Sequence, residues 1–127
     1  VYREYFAGGD ASPCHASPTW RRLTFGALAE VFILDGRSQR TAASLLGDCQ
    51  RQWLLDGLAS SAALWKIILS PVTFNPLTKP FDGWGGYPAE REQLLAWVQD
   101  RNLHNIVLMS ADIHSGGAID DGSHAGL

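Results

Sequence analysis

The sequence has no long apolar run, no surplus of positive charge and almost no cysteine, and each shortage removes a class of function. No stretch approaches the roughly 20 apolar residues that span a bilayer, so no transmembrane segment is expected. Ten Lys and Arg stand against 13 Asp and Glu, a net charge of −3. That balance offers no basic surface to neutralise a phosphate backbone, so nucleic acid is not an expected partner. The two cysteines, Cys14 and Cys49, can pair or not. Without a Cys-x-x-Cys they point to neither zinc nor redox exchange. Val1-Tyr2-Arg3-Glu4-Tyr5 has no charged segment followed by an apolar core, so no signal peptide opens the chain. A starting Met is also lacking, and the expectation is a piece of a longer protein.

What is present suits one domain. The 127 residues are 46% hydrophobic and include five Trp, enough for a modest core and against disorder. The most informative stretch runs from Asn105 to Gly117. Ile106-Val107-Leu108-Met109 is an apolar run of strand length, the pattern of a strand buried on both faces in a parallel sheet. It turns abruptly into Ser110-Ala111-Asp112-Ile113-His114-Ser115. Ligands of open α/β sheets bind outside the carboxyl ends of strands. On an extended backbone Asp112 and His114 share a side, so one carboxylate and one imidazole can reach a common metal or phosphate. By spacing alone, such a pair more often forms a hydrogen-bonded loop than a ligand pair.

Along the chain, Ser12 to Pro18 reads as irregular surface with a solvated His15. Arg22 to Gly26 and Leu28 to Asp35 read as two strands around Gly26. Arg37 and Arg40 follow, placed either to grip an oxyanion or to tie down a loop through carboxylates. A helix starts at Leu46-Gly47-Asp48, with Asp48 as N-cap or first-turn acid, and ends around Gly57 and Ser60-Ser61. Leu64 to Leu69 is a third strand. Val72 to Tyr87 is a long loop with exposed-looking Phe74, Phe81, Trp84 and Tyr87. Trp84 and Tyr87 line a substrate mouth or pack over the next helix. Pro88 opens that helix, with Glu90 early and Arg101 late; Glu90 and Arg91 read as a helix-start ion pair. His104 and His124 read as solvated, and Ser115 has no nucleophile elbow around it. The order strand, strand, helix, strand, loop, helix, strand predicts an α/β fold, a helix-flanked β-sheet with its later strands parallel.

Four blocks resemble the PhoD-like (alkaline phosphatase D) metallophosphatases of the calcineurin-like superfamily. They are Leu34-Asp35-Gly36-Arg37-Ser38-Gln39-Arg40, Leu46-Gly47-Asp48-Cys49-Gln50-Arg51-Gln52-Trp53-Leu54, Asp82-Gly83-Trp84-Gly85-Gly86-Tyr87-Pro88-Ala89-Glu90-Arg91 and Ser110-Ala111-Asp112-Ile113-His114-Ser115. With Trp65-Lys66 between the second and third, they span nearly the whole chain in family order.

The resemblance implies hydrolysis of phosphomonoesters or phosphodiesters by metal-activated water, on a β-sandwich with helices outside. It implies Fe, Ca, Zn or Mn, held by oxygen and imidazole ligands. The family's Gly-Asp-x-His maps onto Ala111-Asp112-Ile113-His114, making His114 and Asp112 the metal-ligand and catalytic candidates. Arg37, Trp84 and Tyr87 are the substrate-binding candidates. Gly85 stands where the family usually has an acid, leaving Asp82 as the nearest carboxylate. The earlier ligand motifs have no counterpart here and belong to a missing amino-terminal half of the same domain. The fragment, residues 1–127, is therefore expected to be inactive alone. Family habit implies an extracytoplasmic location, periplasmic or secreted. The competing reading is a non-catalytic α/β binding or scaffolding module that keeps the sheet without its metals.

Overall fold

The structure is a computed structural model, and it describes residues 19–77, 79 and 81–114. His15, Cys14, Ser115 and His124 lie outside the described residues. Four strands form one sheet in the order β1-β2-β3-β4: Arg21–Phe25, Ala29–Ile33, Trp65–Ser70 and Ile106–Ser110. β1 and β2 are an antiparallel hairpin that turns at Gly26, whose φ of 56° is one that a side chain disfavours. β2, β3 and β4 are parallel. The connections carry α1 (Gly47–Ser60) and α2 (Pro88–Asp100), the latter preceded by a short 3-10 turn at Trp84–Gly86. The predicted element order and the α/β class hold.

Two successive crossovers of the same hand, moving the same way across a sheet, place both helices on one face. The core shows this directly. Phe32 and Ile68 from the sheet, with Leu34 just past β2, pack with Leu54 and Leu58 of α1 and with Leu94 and Leu95 of α2. On the other face the register lines up Leu23, Val31, Ile67 and Val107 in one row, and Arg21, Ile33, Leu69 and Met109 in the next. No described element covers these rows, and Met109 is 55% exposed. The apolar run of β4 was expected to be buried on both faces. Instead, among the described residues, β4 is the last strand of the sheet and its outer face is uncovered, because both helices sit on the opposite side. Among the described residues no helix is long and apolar enough to cross a membrane.

α1 ends where the Ser60-Ser61 pair was expected to mark it, and passes through Gly57 on the way. It runs through to Ser60, whose hydroxyl donates back to the Asp56 carbonyl at 2.8 Å. Gly57 is instead where the helix meets the sheet, for a Cβ there would lie 2.5 Å from Cε1 of the fully buried Phe32. Ala in a helix interior ordinarily gains about 1 kcal/mol over Gly. Here Gly57→Ala should instead destabilise by about 1–3 kcal/mol through overpacking, read as a lower urea midpoint. Asp48 lies in the first turn without capping it, accepting from Arg51 at 2.7 Å. Cys49, in the same turn, is disulfide-bonded.

The 72–87 loop also differs from expectation. Phe81 is exposed, but Phe74 is 7% exposed and Trp84 is fully buried. Their rings sit 5.2 Å apart, and the Trp84 indole N–H donates to Ser70 Oγ at 3.0 Å. The loop folds back to roof the carboxyl end of β3 and spends its aromatics as core. Tyr87 is half-buried.

Candidate functional site

The site is assembled from the segments that follow β2, β3 and β4. After β2, the buried side chain of Gln50 on α1 clamps the Asp35 backbone from both sides. Asp35 N–H donates to Gln50 Oε1 at 2.7 Å, and Gln50 Nε2 donates to the Asp35 carbonyl at 2.8 Å. The Asp35 carboxylate then accepts from the backbone N–H groups of Arg37 at 2.8 Å and Ser38 at 3.0 Å, and also from the Thr19 hydroxyl. Such an Asx-type turn bends the chain and aims Arg37 outward.

Arg37 meets Asp82 bidentately, at 2.6 Å and 2.9 Å. Arg40 reaches Asp82 from the other side, donating to its carboxylate and to its carbonyl, each at 2.8 Å, and to the Gly36 carbonyl at 2.9 Å. The loop-tying alternative thus describes what both arginines do here. Tyr87 supports the same corner: its hydroxyl donates to the Thr41 carbonyl at 3.0 Å and its ring lies 5.8 Å from the Arg40 guanidinium. Trp84 contributes from beneath, through Ser70, and has no exposed surface.

Asp112 and His114 stand at the end of β4, where Ser110 Oγ also accepts from the Phe74 N–H at 3.2 Å. Asp112 Oδ1 lies 2.6 Å from His114 Nε2. The two side chains meet, though not by extended alternation. Asp112 has φ 69° and His114 φ 60°, so the backbone is left-handed at both. Asp and His tolerate that region better than branched residues do, yet it costs energy and clusters at functional sites. The other carboxylate oxygen, Oδ2, faces Lys79 Nζ at 3.2 Å and Arg37 at 3.5 Å. Lys79, itself at φ 45°, escaped the sequence reading because it lies 33 residues before Asp112 in a loop with no periodicity.

Glu90 and Arg91 are not the helix-start pair expected. Each turns to backbone instead. Glu90 accepts from the N–H groups of Leu45 and Leu46, and Arg91 Nε donates to the Phe74 carbonyl at 3.2 Å. His104 is exposed, as read. A cavity of about 290 Å³ between α1 and α2, walled by Leu46, Leu55, Leu94 and Trp97, lies apart from the Asp112 cluster.

The electrostatics favour ionised carboxylates. Hydrogen bonds from Arg37 and then Arg40 hold the Asp82 carboxyl well below the usual carboxylate range, and Asp82 in turn raises Arg37. Lys79, and then His114, lower Asp112. A carboxyl depressed on folding contributes stability that is present above its unfolded pKa and lost as pH falls toward the folded one. Asp82→Asn should therefore lose that contribution at neutral pH, where it is fully present, and converge on the wild type as pH falls below about 4, which flattens the acid limb of the stability curve. Thermal midpoints recorded from pH 7 to pH 2 check this.

As a metal site, the donor types fit and the number falls short. A carboxylate oxygen and an imidazole nitrogen lie side by side, 2.6 Å apart, both suited to hard or borderline cations. Among the described residues no group of three His, Cys, Asp or Glu gathers. A catalytic ion needs more protein ligands than these two.

The profile of the PhoD-like phosphatases matches residues 2–122. Alkaline phosphatase D of Bacillus subtilis is 30% identical over 122 aligned residues, covering 76% of this chain and 21% of that protein. A solved structure titled "Structure of PhoD" superposes with a TM-score of 0.73 at 29% identity, over 89% of this chain and 27% of that one. The chain thus spans between a fifth and about a quarter of the relatives it matches. The family profile covers nearly the whole chain and the fold agrees with it, so the chain belongs to the PhoD-like phosphatase family.

Proposed function

We propose that this chain forms one part of the catalytic domain of a metal-dependent phosphoester hydrolase, acting on phosphomonoesters or phosphodiesters outside the cytoplasm. The observation that carries the reading is the meeting of Asp112 and His114 at 2.6 Å on left-handed backbone at the sheet's carboxyl edge. In it, His114 and Asp112 each supply one ligand, and the remaining ligands come from parts of the domain that this chain does not hold. Bound ions of this kind activate water and neutralise phosphoryl oxygens. Arg37 stands over the same carboxylate to orient the phosphoester, and Tyr87, with Trp84 packed below, shapes that side of the mouth. The open sheet face, with its two apolar rows, is where the rest of the domain packs as the second layer of a sandwich.

With no group of three donor side chains gathered among the described residues, a non-catalytic module is the competing outcome. The test uses the full-length protein carrying this chain, stripped of metal and reloaded with Fe, Ca, Zn or Mn. It is assayed on nitrophenyl phosphate and bis(nitrophenyl) phosphate. The proposal expects hydrolysis that returns with metal, and no activity from residues 1–127 alone. A fully folded full-length protein inert with every ion would establish the module instead.

A further inference from the structure

We propose that Lys79 and Arg37 form a cationic clamp that holds a non-bridging oxygen of the phosphoryl group beside Asp112. This rests on the phosphoester reading above and extends it to a residue that no motif marks. The two cations come from different loops and converge on one atom, Asp112 Oδ2, at 3.2 Å for Lys79 and 3.5 Å for Arg37. Three cations, Arg37, Arg40 and Lys79, face two carboxylates, Asp82 and Asp112. Counted over these Lys, Arg and Asp side chains, the cluster keeps one positive charge in excess (three minus two), which suits an anion.

The three cations differ in what they have left to give. Arg40 spends its guanidinium on Asp82 and on the Gly36 carbonyl. Arg37 is locked to Asp82 by two bonds, which fixes its plane and leaves one edge toward Asp112. Lys79 Nζ has three donors, and among the described residues it meets the single acceptor Asp112 Oδ2. Its backbone is anchored as well. The Lys79 carbonyl accepts from the N–H groups of Asp82 at 3.2 Å and Gly83 at 3.1 Å, tying Lys79 to the carboxylate that both arginines hold. The side chain is 27% exposed, within reach of solvent and of a ligand. An ammonium point charge with donors to spare, beside a guanidinium fork held by two bonds, suits an oxygen whose charge grows during phosphoryl transfer.

The experiment uses the full-length, metal-loaded protein and inorganic phosphate as a competitive inhibitor. Lys79→Met removes the charge at similar length, and Lys79→Arg restores it. The clamp predicts that Lys79→Met weakens phosphate binding about tenfold or more. It predicts recovery to within about threefold of wild type in Lys79→Arg, and an unchanged metal content in both. Phosphate binding unaltered in Lys79→Met, or loss of metal from it, overturns the clamp, the latter by reducing Lys79 to a support for Asp112. His114→Ala, measured alongside, separates the failures. If it sheds metal while Lys79→Met binds phosphate normally, the clamp alone is wrong; if it keeps both metal and activity, the underlying site reading falls and the clamp with it.

Discussion

His114→Ala in the full-length protein is expected to lower metal content and phosphoesterase activity together, the latter by more than about a hundredfold. Losing a partner that merely orients a ligand typically costs 10–100-fold in metal affinity or activity, and losing a ligand itself should cost more. His114 is 75% exposed and pairs, among the described residues, with Asp112, so its removal leaves no core void. Stability should hold while function goes. That separation makes the variant diagnostic: metal analysis and a melting curve on the same sample distinguish a lost ligand from a lost fold.

The second large effect concerns stability. Glu90 is buried, and its carboxyl accepts from Leu45 N–H at 2.6 Å, Leu46 N–H at 3.3 Å and Ser44 Oγ at 3.1 Å. These groups lead into α1, whose first residue, Gly47, has its own N–H satisfied by Ser44 Oγ at 2.8 Å. One side chain at the start of α2 thus braces the start of α1. Glu90→Ala strands two backbone N–H groups in the interior at about 1–3 kcal/mol each, for a loss of about 2–5 kcal/mol in urea unfolding. Glu90→Gln keeps one acceptor oxygen and should lose roughly half as much. An Ala variant as stable as wild type would mean that water replaces the carboxyl at no cost.

The element order was legible because apolar runs of strand length alternate with helical stripes, and the strand and helix bounds fall within a residue or two of those read. The 72–87 loop was not. Its Gly and Pro punctuation signals irregular backbone, but nothing local shows that Trp84 and Phe74 turn inward to meet Ser70 and Arg91. Gly57 illustrates the same limit, since a glycine that ends a helix and one that admits a neighbouring ring look alike in sequence. Glu90 reads locally as a first-turn acid complementing the helix dipole, whereas its partners lie 44 to 46 positions away. For the site, the Asp112 and His114 pairing was visible in the spacing and the four blocks. The Arg37–Asp82–Arg40 brace and Lys79 were not, because long-range ion pairs leave no periodic trace.

The central claim is that Asp112 and His114 share a cation with groups supplied by the rest of the protein. Anomalous diffraction from crystals of the metal-loaded full-length protein tests it most directly. The account predicts an ion bonded to an Asp112 oxygen and a His114 nitrogen at about 2.0–2.6 Å. Ions found only at a distance from both residues would contradict it.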